Sequence, residues 1–198
     1  MSTPSFFTTP DKVTFVRRDT TYRQIFDVDE YWYSDIRKDD RVLDIGANVG
    51  AFCIRAARLS PHITAVEPVT AGILAENIQA NQVLVRIIEG GLGNGGTTVC
   101  TWDDRSVVVP VYPLRTLVAM AGGCDFLKCD CEGGEWQIRP EDLAGIRRIE
   151  MELHTPPISG NPSPALLDYI SRHYDFGIER KPCHDILGVM GVLHAERR

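Results

Sequence analysis

"RVLDIGANVGAFCIRAARLS" (residues 41–60) opens apolar, turns on glycine and continues with helical spacing. RVLDIG (41–46) reads as a buried strand ending in a glycine turn. VGAFCIRAARLS (49–60) reads as a helix, with Phe52, Ile54, Ala56 and Leu59 available for packing and Pro61 marking its end. Between them, DIGANVG (44–50) has Gly46 for a tight turn and Gly50 for close packing of the helix start on the sheet. The loop exposes backbone N–H groups at a helix start. Its spacing is G-x-N-x-G rather than G-x-G-x-x-G, and asparagine enters the left-handed region more readily than most residues.

Outward from this unit, strand-length apolar runs alternate with helical patterns. ITAVEP (63–68) is a second strand, 70–82 a helix opened by a Thr70 cap, and VLVRIIEG (83–90) a third strand. In the glycine-rich passage that follows, Asn94-Gly95 predicts a tight hairpin turn. Pro110 and Pro113 assign SVVVPVYPL (106–114) to an edge or an extended connection. CDFLKCD (124–130) and RRIEMELHT (147–155) are the next strands, with a helix expected to start near Gly134. A helix over 163–174 has Ser163 as cap and Pro164 at its first position, and the tail supplies two strands for an antiparallel hairpin. The pattern predicts an α/β fold: a doubly wound, Rossmann-like seven-stranded sheet, mostly parallel with an antiparallel last strand. A single domain is expected over 1–198, with 1–40 as an N-terminal extension and 41–198 as the core.

The net charge of −6 and the scarcity of basic pairs disfavour a surface that tracks nucleic-acid phosphates or anionic membrane. No apolar run has the length of a membrane span, and the N-terminus lacks the basic start of a secretory signal. The scattered cysteines fit a reducing, cytoplasmic setting. Cys129 and Cys131 form a C-x-C without the second pair zinc would need and without redox C-x-x-C spacing, so neither a zinc site nor a redox pair is expected there, and no metal ligand is assigned.

Glu67 ends the second strand, where a carboxylate can accept both hydroxyls of a ribose diol. DIGANVG is close to the acidic-x-G-x-G-x-G loop that wraps the amino acid end of S-adenosylmethionine, and Asp44 can orient that loop or meet a ligand ammonium through water. VLDIGANVG, AVEP and DFLKCDCEGGEW (125–136) together resemble the FkbM-type S-adenosylmethionine-dependent methyltransferases. The resemblance spans roughly residues 20–195 in element order. It implies a methyl donor held by Asp44, Gly46, Asn48 and Gly50 at its methionine end, Glu67 at its ribose, and Gly91 and Leu92 near its adenine. Transfer to a hydroxyl of a small molecule such as a sugar or a polyketide-like metabolite is the implied reaction. The stretch EGGLGNGG is more glycine-rich than the family pattern.

In DFLKCDCEGGEW, period two puts Lys128, Asp130 and Glu132 on one side and Cys129 and Cys131 on the other, away from the chemistry. Asp130 emerges at the carboxyl edge, where such sheets bind ligands, and can face either cofactor or substrate. Glu135 follows a Gly133-Gly134 turn, and Glu150, Glu152 and His154 share one face of the next strand. Methyl transfer to a hydroxyl needs alignment and removal of a proton. Asp130 or His154 could take that proton, Lys128 could stabilise an oxyanion, and a metal held by Asp130, Glu132 and Glu152 or His154 ranks below an unassisted base. Glu132 belongs with these candidates. Glu135, Glu152 and His184 are candidate acceptor contacts, and Tyr31-Trp32-Tyr33 either lines the acceptor pocket or only packs. Methylation of RNA on ribose or base, a nucleotide- or NAD(P)-dependent enzyme, and a non-catalytic S-adenosylmethionine-binding protein are the competing readings. The sequence leaves a homodimer open.

Overall fold

The computed structural model describes residues 5–17, 30–102, 104–180 and 188–198. Strands β3 (Arg41–Ile45), β4 (His62–Val66), β5 (Arg86–Ile88), β9 (Phe126–Cys129), β10 (Arg148–His154), β11 (Tyr174–Glu179) and β12 (Val189–Arg197) form one sheet in the order β11-β12-β10-β9-β3-β4-β5. The expected architecture is present: seven strands, with β12 antiparallel to both its neighbours and the other pairs parallel. The chain order reverses beside β3, which opens a crevice at the carboxyl ends of β3 and β9.

Alternation sends Leu43, Leu127, Ile149 and Met151 to one face, where they pack with Leu117 and Ile170. Val42, Phe126, Phe52, Ile54 and Leu74 pack on the other. Burying each such side chain contributes about 1.5–3 kcal/mol. The second face then turns polar. In register across it lie Asp44 opposite Lys128, Lys128 opposite Glu150, and Glu150 opposite His194.

Helix α1 (Ala51–Ala56) is shorter than expected, and Gly50 before it has φ of +94°. A Cβ on Gly50 would lie 2.7 Å from Leu74 Cδ1, so this glycine admits helix α2 (Ala71–Asn81) rather than the sheet. Thr70 stands at the N-cap of α2 without a capping side-chain bond, because its hydroxyl donates to Asn48 Oδ1 at 3.3 Å.

Several expectations fail for identifiable reasons. Asn94-Gly95 does not close a hairpin, because β6 (Gly91–Leu92) pairs in parallel with β8 (Arg105–Tyr112), not with β7 (Thr97–Trp102). The antiparallel hairpin is β7–β8, closing at Trp102 opposite Arg105. β8 is therefore the middle strand of a three-stranded sheet. Pro110 is tolerated because it sits at the last β7 pair, one residue before the β6 ladder begins. Helix α3 (Leu114–Ala121) follows Pro113 and takes up a stretch beyond the expected extended run 106–114 for which no element was expected. The helix expected near Gly134 is replaced by two 3₁₀ turns, Gly134–Gln137 and Pro140–Leu143, the proline preventing continuation. At the N-terminus β1 (Ser5–Thr8) and β2 (Thr14–Arg17) form a hairpin. It is docked on α2 by Val16 N donating to Asn77 Oδ1 at 2.7 Å and Thr14 N to Asn81 Oδ1 at 2.9 Å. Helix α4 (Pro164–His173) is capped by Ser163 as expected. Among the described residues no helix is long and apolar enough to cross a membrane.

Candidate functional site

A cleft of about 470 Å³ lies beyond the carboxyl ends of β3, β4 and β9, within the ~300–1,000 Å³ usual for small-molecule and cofactor sites. Gly46, Asn48 and Glu67 line one wall, Gly91 and Leu92 another, and Asp130 to Gly134 a third. The β7–β8 hairpin contributes Thr98, Cys100 and Trp102. The C-x-C is thus only half turned away: Cys129 is buried, but Cys131 lines the cleft, 3.5 Å from it sulfur to sulfur.

The loop wall is built by close approach. Gly46 has φ of +73°, and a Cβ there would lie 1.6 Å from the Asp130 carbonyl oxygen. Asn48 takes φ of +49°, the left-handed geometry its residue type predicts. Glu67 Oε2 accepts Asn48 N–H at 2.7 Å, and Oε1 accepts from Val69 N at 2.7 Å and Thr70 N at 2.9 Å. Glu67 therefore ties the loop to the end of β4 while lining the cleft. Oε1 has both its acceptor sites filled, and Oε2 keeps one for a ligand hydroxyl.

Asp44 and Lys128 lie beneath this wall rather than in it. Asp44 is fully buried, its Oδ1 3.1 Å from Lys128 Nζ, and neither of its oxygens accepts a well-aligned hydrogen bond among the described residues. Burial pushes its carboxyl up, and the lysine partly offsets that. Lys128 Nζ also donates to Gly46 O at 2.8 Å and stands 3.8 Å from Asp130 Oδ2. Burial disfavours its charge, but Asp44 and Asp130 outweigh that and push its pKa up. Lys128 is 3 % exposed and occupied as the strut under the loop, which disfavours an oxyanion role and favours a structural one.

The acid wall ends in a tight turn, with Glu132 at φ of +52° and Gly133 at +97°. Strand alternation stops at Cys129, so Glu132 reaches the same side as Asp130 through the turn. Four carboxylates surround His154. Nδ1 meets Glu135 Oε1 at 3.1 Å; Nε2 meets Glu152 at 3.1 Å, Glu132 at 3.5 Å and Asp130 at 3.8 Å. Burial works against a charged ring. Hydrogen bonds to Glu135 and Glu152 and the nearby negative charge override it and push the His154 pKa up to about 11. An imidazolium has no free lone pair, which disfavours the base role expected of His154. Burial raises Glu132, with His154 opposing. Burial likewise raises Glu152, to about 7.

Glu135, expected at the acceptor, is fully buried. Its carboxylate accepts from Gly133 N at 2.9 Å and His154 N at 2.7 Å, so it holds the turn and the histidine instead. Gly50 and Asp44 likewise support the cleft from behind. His184 lies outside the described residues. Ligand atoms of Asp130, Glu152 and His154 lie within 4.8 Å of one another, close enough to surround a hard divalent ion if the histidine gave up its proton.

Tyr31 completes the acid wall. Its hydroxyl donates to Asp130 Oδ2 at 3.0 Å, and its ring lies 5.1 Å from Lys128 Nζ. Burial, then Asp130 and Glu152, push the phenol pKa well up, so it remains a donor. Sequence reading left this residue between lining and packing; it touches the central aspartate.

A search against protein-family models matches none. Over 53 residues the chain is 43 % identical to the probable ribosomal RNA small subunit methyltransferase A of Methanothermobacter thermautotrophicus. The match covers 26 % of this chain and 19 % of that protein. Among solved structures, M. jannaschii TYW2 in complex with AdoMet aligns at TM-score 0.56 and 16 % identity, covering 100 % of this chain and 88 % of that one. An rRNA methylase from Streptococcus thermophilus aligns at TM-score 0.56 and 10 % identity, covering 92 % and 100 %. The fold is that of Rossmann-like methyltransferases. The comparisons do not extend to the FkbM type.

Proposed function

We propose that this chain is an S-adenosylmethionine-dependent methyltransferase. The observation that carries the reading is the cleft itself: the left-handed Asn48 loop, Glu67 at its rim and Gly91 and Leu92 opposite, in a volume of about 470 Å³. The donor set fits the group. Glu67 Oε2 can accept a ribose hydroxyl, Gly91 and Leu92 line the wall that would take adenine, and Asp130 lines the end where a cationic ammonium or sulfonium would sit. When bound, the cofactor supplies an electrophilic methyl group. The chain supplies alignment, exclusion of water and a place for the acceptor's proton. Asp130 lines the cleft, and Glu152, with its pKa near 7, stands behind it. This carboxylate pair is the proton acceptor in our reading, with His154 as the fixed positive charge beside it.

For the acceptor, the relatives support RNA over the small-molecule hydroxyl that the FkbM resemblance implies. The curated relative and one of the two structural neighbours described are named as acting on ribosomal RNA. The small-molecule reading keeps one physical support. Asp130 and Glu132 make an acid mouth on a chain of net charge −6, which repels phosphates. Labelled methyl transfer into total RNA and into a low-mass extract separates the two. Label in RNA supports the first reading and label in a small metabolite the second. Failure to bind S-adenosylmethionine or its demethylated product in titration would sink both. Asp130→Asn should stop transfer and leave cofactor binding measurable.

A further inference from the structure

We propose that the exposed face of Trp32 is a stacking platform for a nucleobase of the methyl acceptor. Trp32 is 51 % exposed, yet it is held from the sheet side by several groups. Its ring stacks on His194 with centroids 4.0 Å apart and planes 11° from parallel. The Arg148 guanidinium carbon lies 5.5 Å from the ring centroid, and the Trp32 backbone N–H donates to Glu150 Oε2 at 3.0 Å.

Beneath the indole, Glu150 is fully buried and bridges the two other groups: its Oε1 is 2.5 Å from Arg148 Nη2, and its Oε2 2.6 Å from His194 Nδ1. Burying three ionisable groups is expensive, and an apolar cluster of equal volume would serve stability as well. This cluster does something an apolar one would not. It fixes a half-exposed indole against His194 by stacking and charge-assisted contacts that leave it little freedom to turn inward. Arg148 and His194 both come from the sheet, on β10 and β12.

The platform lies outside the cleft and is tied to the reaction centre through the chain: Tyr31, the preceding residue, donates to Asp130. Glu150 and Glu152 are neighbours on one face of β10, two residues or roughly 7 Å apart. The base this ring would take is therefore one flanking the nucleotide at Asp130.

The inference rests on the RNA reading of the acceptor and supplies what that reading lacks. An acid-mouthed chain of net charge −6 cannot hold RNA through phosphates alone. Stacking on an aromatic face needs no positive charge and accepts any base. A flat base matches a flat indole, and Arg148 beneath polarises the stack.

The test uses a short, fluorescein-labelled single-stranded RNA of mixed sequence, with anisotropy as the readout. Trp32→Ala should weaken RNA binding about 5- to 100-fold, Trp32→Phe should hold it within about threefold, and S-adenosylmethionine binding should not change in either. If Trp32→Ala does not fold, Trp32→Phe decides: RNA should quench a component of the wild-type tryptophan emission that this variant lacks. Equal binding by Trp32→Ala and wild type would overturn the proposal. So would equal quenching in Trp32→Phe, undiminished binding of an abasic strand, or no RNA binding by the wild type. The cofactor titration keeps the failures apart: S-adenosylmethionine binding without RNA binding removes the platform and leaves the methyltransferase reading standing.

Discussion

The exits of β3 and β9 solve the same problem with the same parts. Each strand is followed by a residue other than glycine at positive φ, Asn48 at +49° between Gly46 and Gly50, each two residues away, and Glu132 at +52° next to Gly133, with all three glycines in the same region. Each turn is tied down by a buried glutamate that accepts backbone N–H groups: Glu67 from Asn48, Val69 and Thr70, Glu135 from Gly133 and His154. The difference is where each glutamate looks. Glu67 comes from the neighbouring strand and keeps its rim in the cleft. Glu135 comes from the turn itself, is fully buried, and spends its second oxygen on the next strand's histidine. One turn is braced to meet a ligand, the other to hold a cation among acids.

The most severe break of the comparison is at the point where the two turns touch. Gly46→Ala adds a Cβ 1.6 Å from the Asp130 carbonyl at φ of +73°. Left-handed strain and backbone overlap together should cost at least ~4 kcal/mol. Denaturant unfolding should show a chain that is largely unfolded or has lost cofactor binding; near-wild-type stability would mean the two exits are not in contact.

Glu135→Ala comes next. It removes the partner of a buried histidinium and frees two backbone donors, for a loss of roughly 3 kcal/mol. Wild-type stability should carry the pH signature of that pair. The folded-state pKa of His154, about 11, lies above its usual 6.5. The contribution is therefore fully present below about pH 6.5 and lost as pH rises through about 11. An NMR titration that finds His154 neutral at pH 7 would reject this account and restore it as a candidate base.

These two breaks also mark what was legible in the sequence. The β3 exit could be read because strand, glycine turn and helix are contiguous, and Asn48 announces its own backbone geometry. The role of Glu135 could not be read. Its partner lies nineteen residues away on another strand, and only the parallel pairing of β9 and β10 brings them together. Tyr31 and Trp32 meet Asp130, Glu150 and His194 across 99, 118 and 162 positions, the last being 194 − 32, with no local signal. Helix α3 was legible in the sequence: Leu114, Leu117, Val118 and Ala121 recur at helical spacing before Gly122, which ends the helix in the left-handed region, and Pro113, at the end of the expected extended run 106–114, precedes its first residue.

Glu67→Gln sharpens the comparison more gently. An amide can accept on one side only, so one set of backbone bonds is lost, about 1–2 kcal/mol. Cofactor affinity should fall with it, because ligand contact and loop anchor share one carboxylate. The equivalent Glu135→Gln should lower stability and leave cofactor affinity alone. If the two variants shift cofactor binding equally, the division between a ligand-facing and a cation-holding turn fails. The acid wall has its own kinetic signature. Glu152 is raised to about 7 from 4.5, so as proton acceptor it should make transfer at saturating cofactor rise with pH through about 7. Glu152→Gln should flatten that rise, and a rise that survives the change would assign the proton elsewhere.

The smallest effect tests whether asparagine at the β3 exit does more than tolerate its backbone. At φ of +49°, Asn48→Gly removes left-handed strain from the folded state and adds freedom to the unfolded one. These terms oppose each other and nearly cancel, within about 1 kcal/mol. What the substitution also deletes is Asn48 Oδ1, which accepts from the Thr70 hydroxyl at 3.3 Å and so links the loop to the start of α2. Stability and cofactor affinity both close to wild type would mean that Asn48 is present for its backbone alone. Affinity reduced severalfold at unchanged melting temperature would mean that the Thr70 link holds the loop in its ligand-ready shape, which is the outcome expected if this turn is the one built to meet a ligand.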